Sequence, residues 1–168
     1  TQRLYFNQEG QPQAAGTTVR YTQFDLSQNF CLWNFLHQDN RATYQGASSG
    51  ADFLPLPEWV NRHSLYFRFR LFKRVLQVMT GAELNYFSAF QSQAYNPALG
   101  RFQLQEELRI GDYPFLDLFA QFKVGKAQIF VRLQHLNQGW NGYRYFAAPA
   151  YPLNDRVFRA GINWRFFN

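Results

Sequence analysis

The chain has no run of about 18 or more consecutive apolar residues, and its longest apolar runs are only a few residues long. A helix needs about 20 mostly apolar residues to cross a bilayer, so a helical membrane protein is excluded. Residues 1–6 lack a basic start and an apolar core, and no signal peptide is visible. We therefore expect either a processed chain or one that begins within a longer protein.

The chain has a single cysteine, Cys31, which rules out an internal disulfide and leaves no redox motif based on paired cysteines. The three histidines, His37, His63 and His135, are far apart, and none has the spacing to other ligands that zinc sites use. No nucleophile elbow and no pair of catalytic carboxylates is recognisable. The sequence therefore predicts that the protein is not an enzyme and uses no cofactor or metal.

Acidic residues are scarce relative to basic ones. The chain has 11 Asp and Glu against 17 Lys and Arg, of which 14 are Arg, and its net charge is +6. Such an excess often indicates a nucleic-acid partner. Here the cations are spread along alternating segments and are not gathered into one basic helix or ribbon, so we expect no nucleic-acid binding.

Aromatic residues, in contrast, are abundant although the chain is polar on average. They make up 20% of the residues, whereas the mean hydropathy is −0.41. So many rings in so polar a chain indicate an apolar surface that alternates closely with polar positions. β-Strands produce this alternation because successive side chains point to opposite faces.

Strict alternation runs from residue 60 to the end. It predicts five strands, each about as long as the ~9 to 11 residues that a tilted strand needs to cross a bilayer. They are predicted near residues 60–72, 75–91, 114–124, 126–137 and 156–168. Three earlier strands with a weaker pattern are predicted near residues 1–9, 17–33 and 35–46. The total is about eight strands in one domain, residues 1–168.

One face of the five later strands carries charged side chains and the other carries none. Soluble sheets alternate as well, but a charge that faces lipid at mid-depth costs about 2 to 4 kcal/mol, and five strands without a lapse favour a membrane. The residues predicted to face the lumen, as a pore lining, are Arg68, Arg70, Glu83, Asp117, Lys123, Arg132, Arg159 and Arg165. Those predicted to face lipid are Leu65, Phe67, Phe69, Leu118, Val131, Ile162 and Trp164.

The connections between the predicted strands alternate between short and long. Tight turns are expected at residues 72–75 and 124–126, whereas residues 47–59, 92–113 and 138–155 are long and rich in Gly, Pro, Asn and aromatic residues. Outer-membrane barrels have short periplasmic turns and long extracellular loops. The sequence therefore predicts an all-β fold, a transmembrane antiparallel up-and-down β-barrel in the bacterial outer membrane.

Several motifs follow one another over the last two-thirds of the chain. They are LPLPEWV at residues 54–60, YNPALGRF at 95–102, IGDYPFLDLF at 110–119, HLNQG at 135–139 and GINWRFF at 161–167. Through these motifs the chain resembles the putative porin family of Bacteroidota outer membranes. Members of that family look like barrels several hundred residues long, so the resemblance implies that this chain is the C-terminal part of a larger barrel.

Two functions are compatible with such a barrel. The first is passive diffusion of small solutes or ions through a water-filled lumen, with a preference for anions if the inward arginines are free. Those arginines could instead pair with Glu83, Asp117 and acidic loop residues in a filled lumen. The second function is a structural or assembly subunit that binds lipoproteins or other envelope proteins through its loops. Outer-membrane lipid is an expected partner in both cases.

Overall fold

The computed structural model of the chain describes residues 4–14, 18–47, 54–140, 142–143 and 145–166. All the regular structure in these ranges is β-strand, and the 15 strands are numbered in chain order. Seven long strands are β3 (Tyr21–Leu32), β4 (Leu36–Ala47), β5 (Trp59–Leu71), β6 (Leu76–Phe87), β11 (Phe115–Val124), β12 (Ala127–Gln134) and β15 (Val157–Trp164). Eight short strands are β1 (Leu4–Phe6), β2 (Pro12–Ala14), β7 (Phe90–Gln91), β8 (Ala94–Asn96), β9 (Arg101–Gln103), β10 (Arg109–Ile110), β13 (Phe146–Ala148) and β14 (Tyr151–Pro152). Within the described residues, no helix has the length and apolar character to span a membrane.

The seven long strands form one antiparallel sheet in the order β15-β12-β11-β6-β5-β4-β3. Each long strand pairs with the long strands next to it in the chain, so the sheet is a meander, and the predicted all-β antiparallel fold is confirmed. The edge strands β3 and β15 are not hydrogen-bonded to each other. The described strands therefore form an open sheet, and a closed barrel stays a prediction.

Short and long connections alternate along the main sheet, as the sequence predicts. The short ones are residues 33–35, 72–75 and 125–126, and the long ones are residues 48–58, 88–114 and 135–156, of which 48–53, 141 and 144 lie outside the described ranges. Left-handed backbone at Asn34 (φ 62°), Lys73 (φ 52°) and Gly125 (φ 55°) reverses the chain within the short turns. The two kinds of connection lie at opposite ends of the strands, here called the turn end and the loop end.

The register gives the sheet two different faces. In one row across the sheet, Ser64 pairs with Glu83 and Glu83 pairs with Asp117. In the next row, Leu65 pairs with Ala82 and Ala82 pairs with Leu118. Every Asp, Glu, Lys and Arg of the seven long strands lies on the same face of the sheet as the first row, Ser64, Glu83 and Asp117. We call the face with these charges the polar face and the opposite one the apolar face.

The prediction of a first sheet strand near residues 1–9 is wrong for the residues that the structure describes. Leu4–Phe6 is only three residues long and pairs with Pro12–Ala14, not with the main sheet. The chain folds back directly after Phe6 because the backbone of Asn7 bonds Gln11 (N to O, 3.1 Å) and the side chain of Asn7 accepts from the Gln11 N–H (2.7 Å). The expected total of about eight sheet strands is thus seven in the described ranges.

The predicted strand with the poorest pattern is a full strand in the structure. Residues 35–46 show only weak alternation, yet the chain forms the 12-residue strand Leu36–Ala47. This strand is paired on one side with β3 and on the other with β5. Backbone hydrogen bonds to two neighbours hold it although its side chains alternate poorly, since sheet propensity depends strongly on context.

A close approach of two backbones surrounds Gly81 in β6, which lies opposite Tyr66 in β5. A Cβ atom at Gly81 would overlap the carbonyl oxygen of Leu65 and would lie 2.5 Å from the Cβ of Tyr66. Both partners belong to the strand backbone or its first side-chain atom, so neither can turn away. The centre of the sheet therefore requires glycine at this position.

We expect Gly81→Ala to destabilise the folded protein by about 1 to 3 kcal/mol, the usual range for an overpacked site. The measurement is the urea midpoint in detergent micelles, followed by tryptophan fluorescence. Gly46→Ala is the matched control, because a Cβ at Gly46 would have only the Tyr44 hydroxyl within 4 Å, at 3.9 Å. Equal midpoints for the two variants would contradict the steric explanation.

Candidate functional site: the polar face and its loop cluster

Charged side chains are concentrated on the polar face of the main sheet. The acidic residues there are Asp25, Asp39, Glu83 and Asp117, and the basic ones are Arg41, Arg62, Arg68, Arg70, Lys123, Arg132 and Arg159. Arg165 follows directly after β15 with the same parity. The seven strands thus carry seven cations and four anions, so their polar face has a net positive charge.

Glu83 is the centre of the ion-pair network on this face. Its carboxylate accepts from Arg62 Nη2 at 2.6 Å and from Arg132 Nη2 at 2.5 Å, one arginine on each oxygen. Asn85 and Ser64 donate to the same carboxylate at 3.2 and 3.4 Å. The Glu83 side chain is only 8% exposed. Two guanidinium groups, which stay charged at any working pH, offset the desolvation of this buried carboxylate.

Asp117 extends the network toward the loop end. Its Oδ2 accepts from Arg132 Nε at 3.1 Å and from Nη2 at 2.8 Å, so Arg132 bridges Asp117 and Glu83. The other oxygen, Oδ1, accepts from the backbone N–H of His135 at 2.9 Å. Asp117 therefore connects the polar face to the long segment that follows β12.

Smaller groups lie on the strands next to the network. The hydroxyl of Tyr66 donates to Asp39 at 3.0 Å, and the guanidinium of Arg68 lies 5.5 Å from the centre of the Tyr66 ring. Near the loop end, Asp25 accepts from Thr43 at 2.6 Å and forms an exposed ion pair with Arg41 at 3.5 Å. These contacts satisfy both acidic residues of β3 and β4.

Five predicted lumen residues are not paired with a carboxylate of any described residue. The side chains of Arg68, Arg70, Lys123, Arg159 and Arg165 have no acidic group within 4.0 Å among those residues. Arg70 and Lys123 each pair in register with Gln77 near the turn end, while Arg159 lies opposite Arg132. The free cations are thus distributed around the acidic network and toward the turns.

All eight residues predicted to line a lumen share the polar face, and all seven predicted to contact lipid share the apolar face. Which solvent each face meets stays a prediction. The structure brings Arg132, Glu83 and Asp117 into contact, but it leaves the other five predicted lumen residues outside this ion-pair network. A concave region of about 540 Å³ lies over the network and is lined by Arg62, Arg68, Arg159 and their neighbours.

Sequence reasoning missed Arg62, which makes one of the two strong contacts to Glu83. Its position could have revealed it, since residues 62, 64, 66 and 68 are every second residue of one strand and therefore share a face. Asn61 and His63 obscured the alternation because they are polar residues at positions that point to the opposite face. Asp39 and Arg41 were missed because their strand, residues 35–46, had too weak a pattern to assign its faces.

A tightly packed group at the loop end, here called the loop cluster, consists of Tyr113, His135, Asn137 and Tyr145, each no more than 6% exposed. The His135 ring lies 4.4 Å from the Tyr145 ring and perpendicular to it. Its Nδ1 lies 2.9 Å from the carbonyl oxygen of Asn154, to which it donates, and its Nε2 lies 2.9 Å from the Tyr113 hydroxyl. Because His135 has a left-handed backbone (φ 55°), it also ends β12.

Asn137 ties the loop cluster to the start of β11. Its side-chain oxygen accepts from the Leu116 N–H at 3.1 Å, and its amide group donates to the Pro114 carbonyl at 2.7 Å. The Tyr113 hydroxyl lies 3.0 Å from the carbonyl oxygen of Asn137. Two motifs that are distant in sequence, IGDYPFLDLF and HLNQG, are thereby joined into one unit.

The family model described as Putative porin matches residues 1–168, the whole chain. The chain belongs to the putative porin family. No curated protein and no solved structure matches it. The porin family match supports an outer-membrane role in general, whereas the Bacteroidota origin that the motifs imply stays a prediction.

Within the residues described, the chain shows no group of three or more His, Cys, Asp or Glu that could hold a metal ion. His37 stacks on Tyr66 with ring centres 5.1 Å apart, His63 lies on the apolar face, and His135 lies in the loop cluster. The three histidines are therefore in three separate environments. The polar face can act electrostatically, because it presents fixed cations beside an acidic centre that arginines neutralise.

We expect Glu83→Gln to lower the free energy of unfolding by about 1 to 3 kcal/mol, because Arg62 and Arg132 would lose a charged acceptor in a half-buried site. The measurement is a urea titration in detergent. Glu106→Gln is the control, since Glu106 is exposed in the long connection between β6 and β11 and forms no ion pair with the described residues. A loss as large for Glu106→Gln would contradict the prediction.

Alkaline pH should loosen the loop cluster. Burial raises the pKa of the Tyr113 hydroxyl above its ordinary value of 10.0. The stabilisation from the neutral hydroxyl is therefore complete below a pH of about 10 and is lost as the pH rises through the higher folded-state pKa. Absorbance at alkaline pH measures the ionisation, and near-ultraviolet circular dichroism measures ring packing. Tyr113→Phe should remove one late-titrating tyrosine; an unchanged titration would contradict the prediction.

Proposed function

We propose that the chain forms part of the wall of an outer-membrane pore through which small solutes diffuse passively. The observation that carries the proposal is the separation of charge: every Asp, Glu, Lys and Arg of the seven long strands lies on the polar face. Hydrocarbon disfavours charge on a lipid-facing wall, whereas a water-filled lumen accepts it. Membership of the putative porin family supports the same role.

We further propose that this pore prefers anions. The acidic groups on the polar face are engaged: Glu83 and Asp117 by Arg132, and Asp39 by Tyr66. Basic groups outnumber them, and several have no acidic partner within the described residues. Rings of Arg or Lys attract anions into pores, so the lumen should have a positive potential, which salt screens over about 10 Å at 0.1 M.

The alternative function is an assembly subunit that binds lipoproteins or other envelope proteins through its loops. The packed loop cluster and the exposed rings of Trp140 and Tyr143, 67% and 70% exposed, are compatible with a binding surface there. They do not identify a partner. The pore is the better-supported proposal because it accounts for the charges of the whole sheet.

The test is the single-channel conductance of the full-length protein in a planar bilayer, with the reversal potential measured in a salt gradient. We expect an open channel whose reversal potential is that of an anion-preferring pore at low salt. Replacing Arg68 and Arg70 together by glutamine should move the permeability ratio toward 1, since both are on the polar face and neither pairs with a carboxylate.

Arg101→Gln is the control for the double variant. Arg101 lies in β9, outside the main sheet, with its guanidinium 4.4 Å from the centre of the Phe6 ring, and its loss should leave the ratio unchanged. A preference for cations at low salt would refute the proposed anion preference, whereas the proposal of a pore would still hold. Absence of any channel would refute the pore and favour the assembly function.

A further inference from the structure

The apolar face has one polar region, and it is confined to three neighbouring strands, β3, β4 and β5. We call it the polar patch; its members are Gln28, Gln38, Asn40, Asn61 and His63. In register, Gln28 lies opposite Asn40, which lies opposite His63. On the other four long strands three side chains of this face have a polar atom: Thr80 donates to the Phe119 carbonyl at 3.1 Å, Tyr86 donates to Asp112 at 2.8 Å, and Trp164 has an indole N–H in the last residue of β15, at the turn end.

The polar patch lies midway between two aromatic belts. Tyr44 and Trp59 pack together at the loop end with ring centres 5.0 Å apart, and at the turn end Phe35 stacks on Phe67 at 6.1 Å. Asn40 is four residues from Leu36 at one end of its strand and four from Tyr44 near the other, about 13 Å in each direction. Aromatic rings mark the two interfaces of a barrel wall, so the patch lies at the depth of the hydrocarbon.

The polar patch does not satisfy its own hydrogen-bonding groups. His63 Nδ1 donates to Asn40 Oδ1 at 2.8 Å, and Gln38 Nε2 donates to the same oxygen at 3.3 Å. The Asn40 amide hydrogens and the Gln38 oxygen are then left over. The side-chain amides of Gln28 and Asn61 make no hydrogen bond to any described residue. Lipid chains offer no donor or acceptor to these groups, so bare contact with lipid is unfavourable.

We propose that a second copy of this chain covers the polar patch, in a two-fold dimer whose axis runs along the membrane normal. The proposal rests on the proposed function, because it requires the apolar face to lie in the membrane. Two copies inserted in the same direction have their patches at the same depth, so a two-fold axis brings patch against patch. Each amide has both a donor and an acceptor, so the patch is complementary to itself.

The strongest competitor is a different membrane protein with polar groups at the same depth. A second copy meets that condition without further assumption, since it has the same patch in the same place. The uncharged nature of the patch fits the two-fold arrangement as well: no Asp, Glu, Lys or Arg lies on this face of the seven strands, so no like charges would meet at the axis.

Disulfide cross-linking in native outer membranes tests the proposal on the full-length protein. Cys31 is first replaced by serine to provide a cysteine-free background in the described chain. Asn40→Cys then places a thiol in the polar patch, and Leu118→Cys places the control thiol on the same face, two strands beyond β5. With mild oxidant we expect at least a fivefold higher yield of homodimer for Asn40→Cys than for Leu118→Cys.

A fluorophore on each thiol, with brominated lipids as quencher, separates the possible failures. We expect strong quenching at position 118 and at least threefold weaker quenching at position 40. Equal quenching without a homodimer would overturn the dimer and leave the pore intact. A cross-link from position 40 to another protein would also overturn it. Absence of quenching at position 118 would mean that the apolar face does not contact lipid, and the proposed function would then fail as well.

Discussion

Backbone pairing between neighbouring strands is the constraint on which the rest of this structure depends. A strand that crosses a membrane has no water to bond its N–H and C=O groups, so these groups must bond to adjacent strands. The register that pairs Leu36–Ala47 with both of its neighbours also fixes the direction of every side chain along it. A slip of one residue would exchange the two faces completely, so the pairing and the charge separation cannot vary independently.

The charges of the polar face are arranged unequally. Glu83 and Asp117 are nearly buried, and Arg132 joins them, whereas Arg70 and Lys123 lie nearer the turn end without an acidic partner among the described residues. Asp117 also accepts from the backbone of His135, so the acidic centre and the loop cluster share one residue. A displacement of Asp117 would therefore disturb the hydrogen bond to the long segment after β12, and a displacement of that segment would disturb Asp117.

Much of the main sheet could be predicted because the alternation of its side chains lies within single strands. Five strands from residue 60 onward were expected within a few residues of where they occur. The exceptions have physical reasons: β12 ends at Gln134 because the backbone turns left-handed at His135, and Leu4–Phe6 leaves the sheet because the turn after Phe6 folds it onto Pro12–Ala14. Arg62 escaped prediction because polar residues on both sides of it masked the alternation.

The sequence by itself determined the five long strands from residue 60 onward, their two faces and the sign of the charge on the polar face, because side chains alternate with a period of two along consecutive residues. Only the tertiary structure decided which charges meet. Arg62 and Arg132 are 70 positions apart along the chain, and they reach one carboxylate because β5, β6, β11 and β12 are adjacent in the sheet. The polar patch arose in the same way, since Gln28, Asn40 and His63 form one row only after β3, β4 and β5 are paired. Contacts of this kind depend on register between strands, which no single segment of the chain contains.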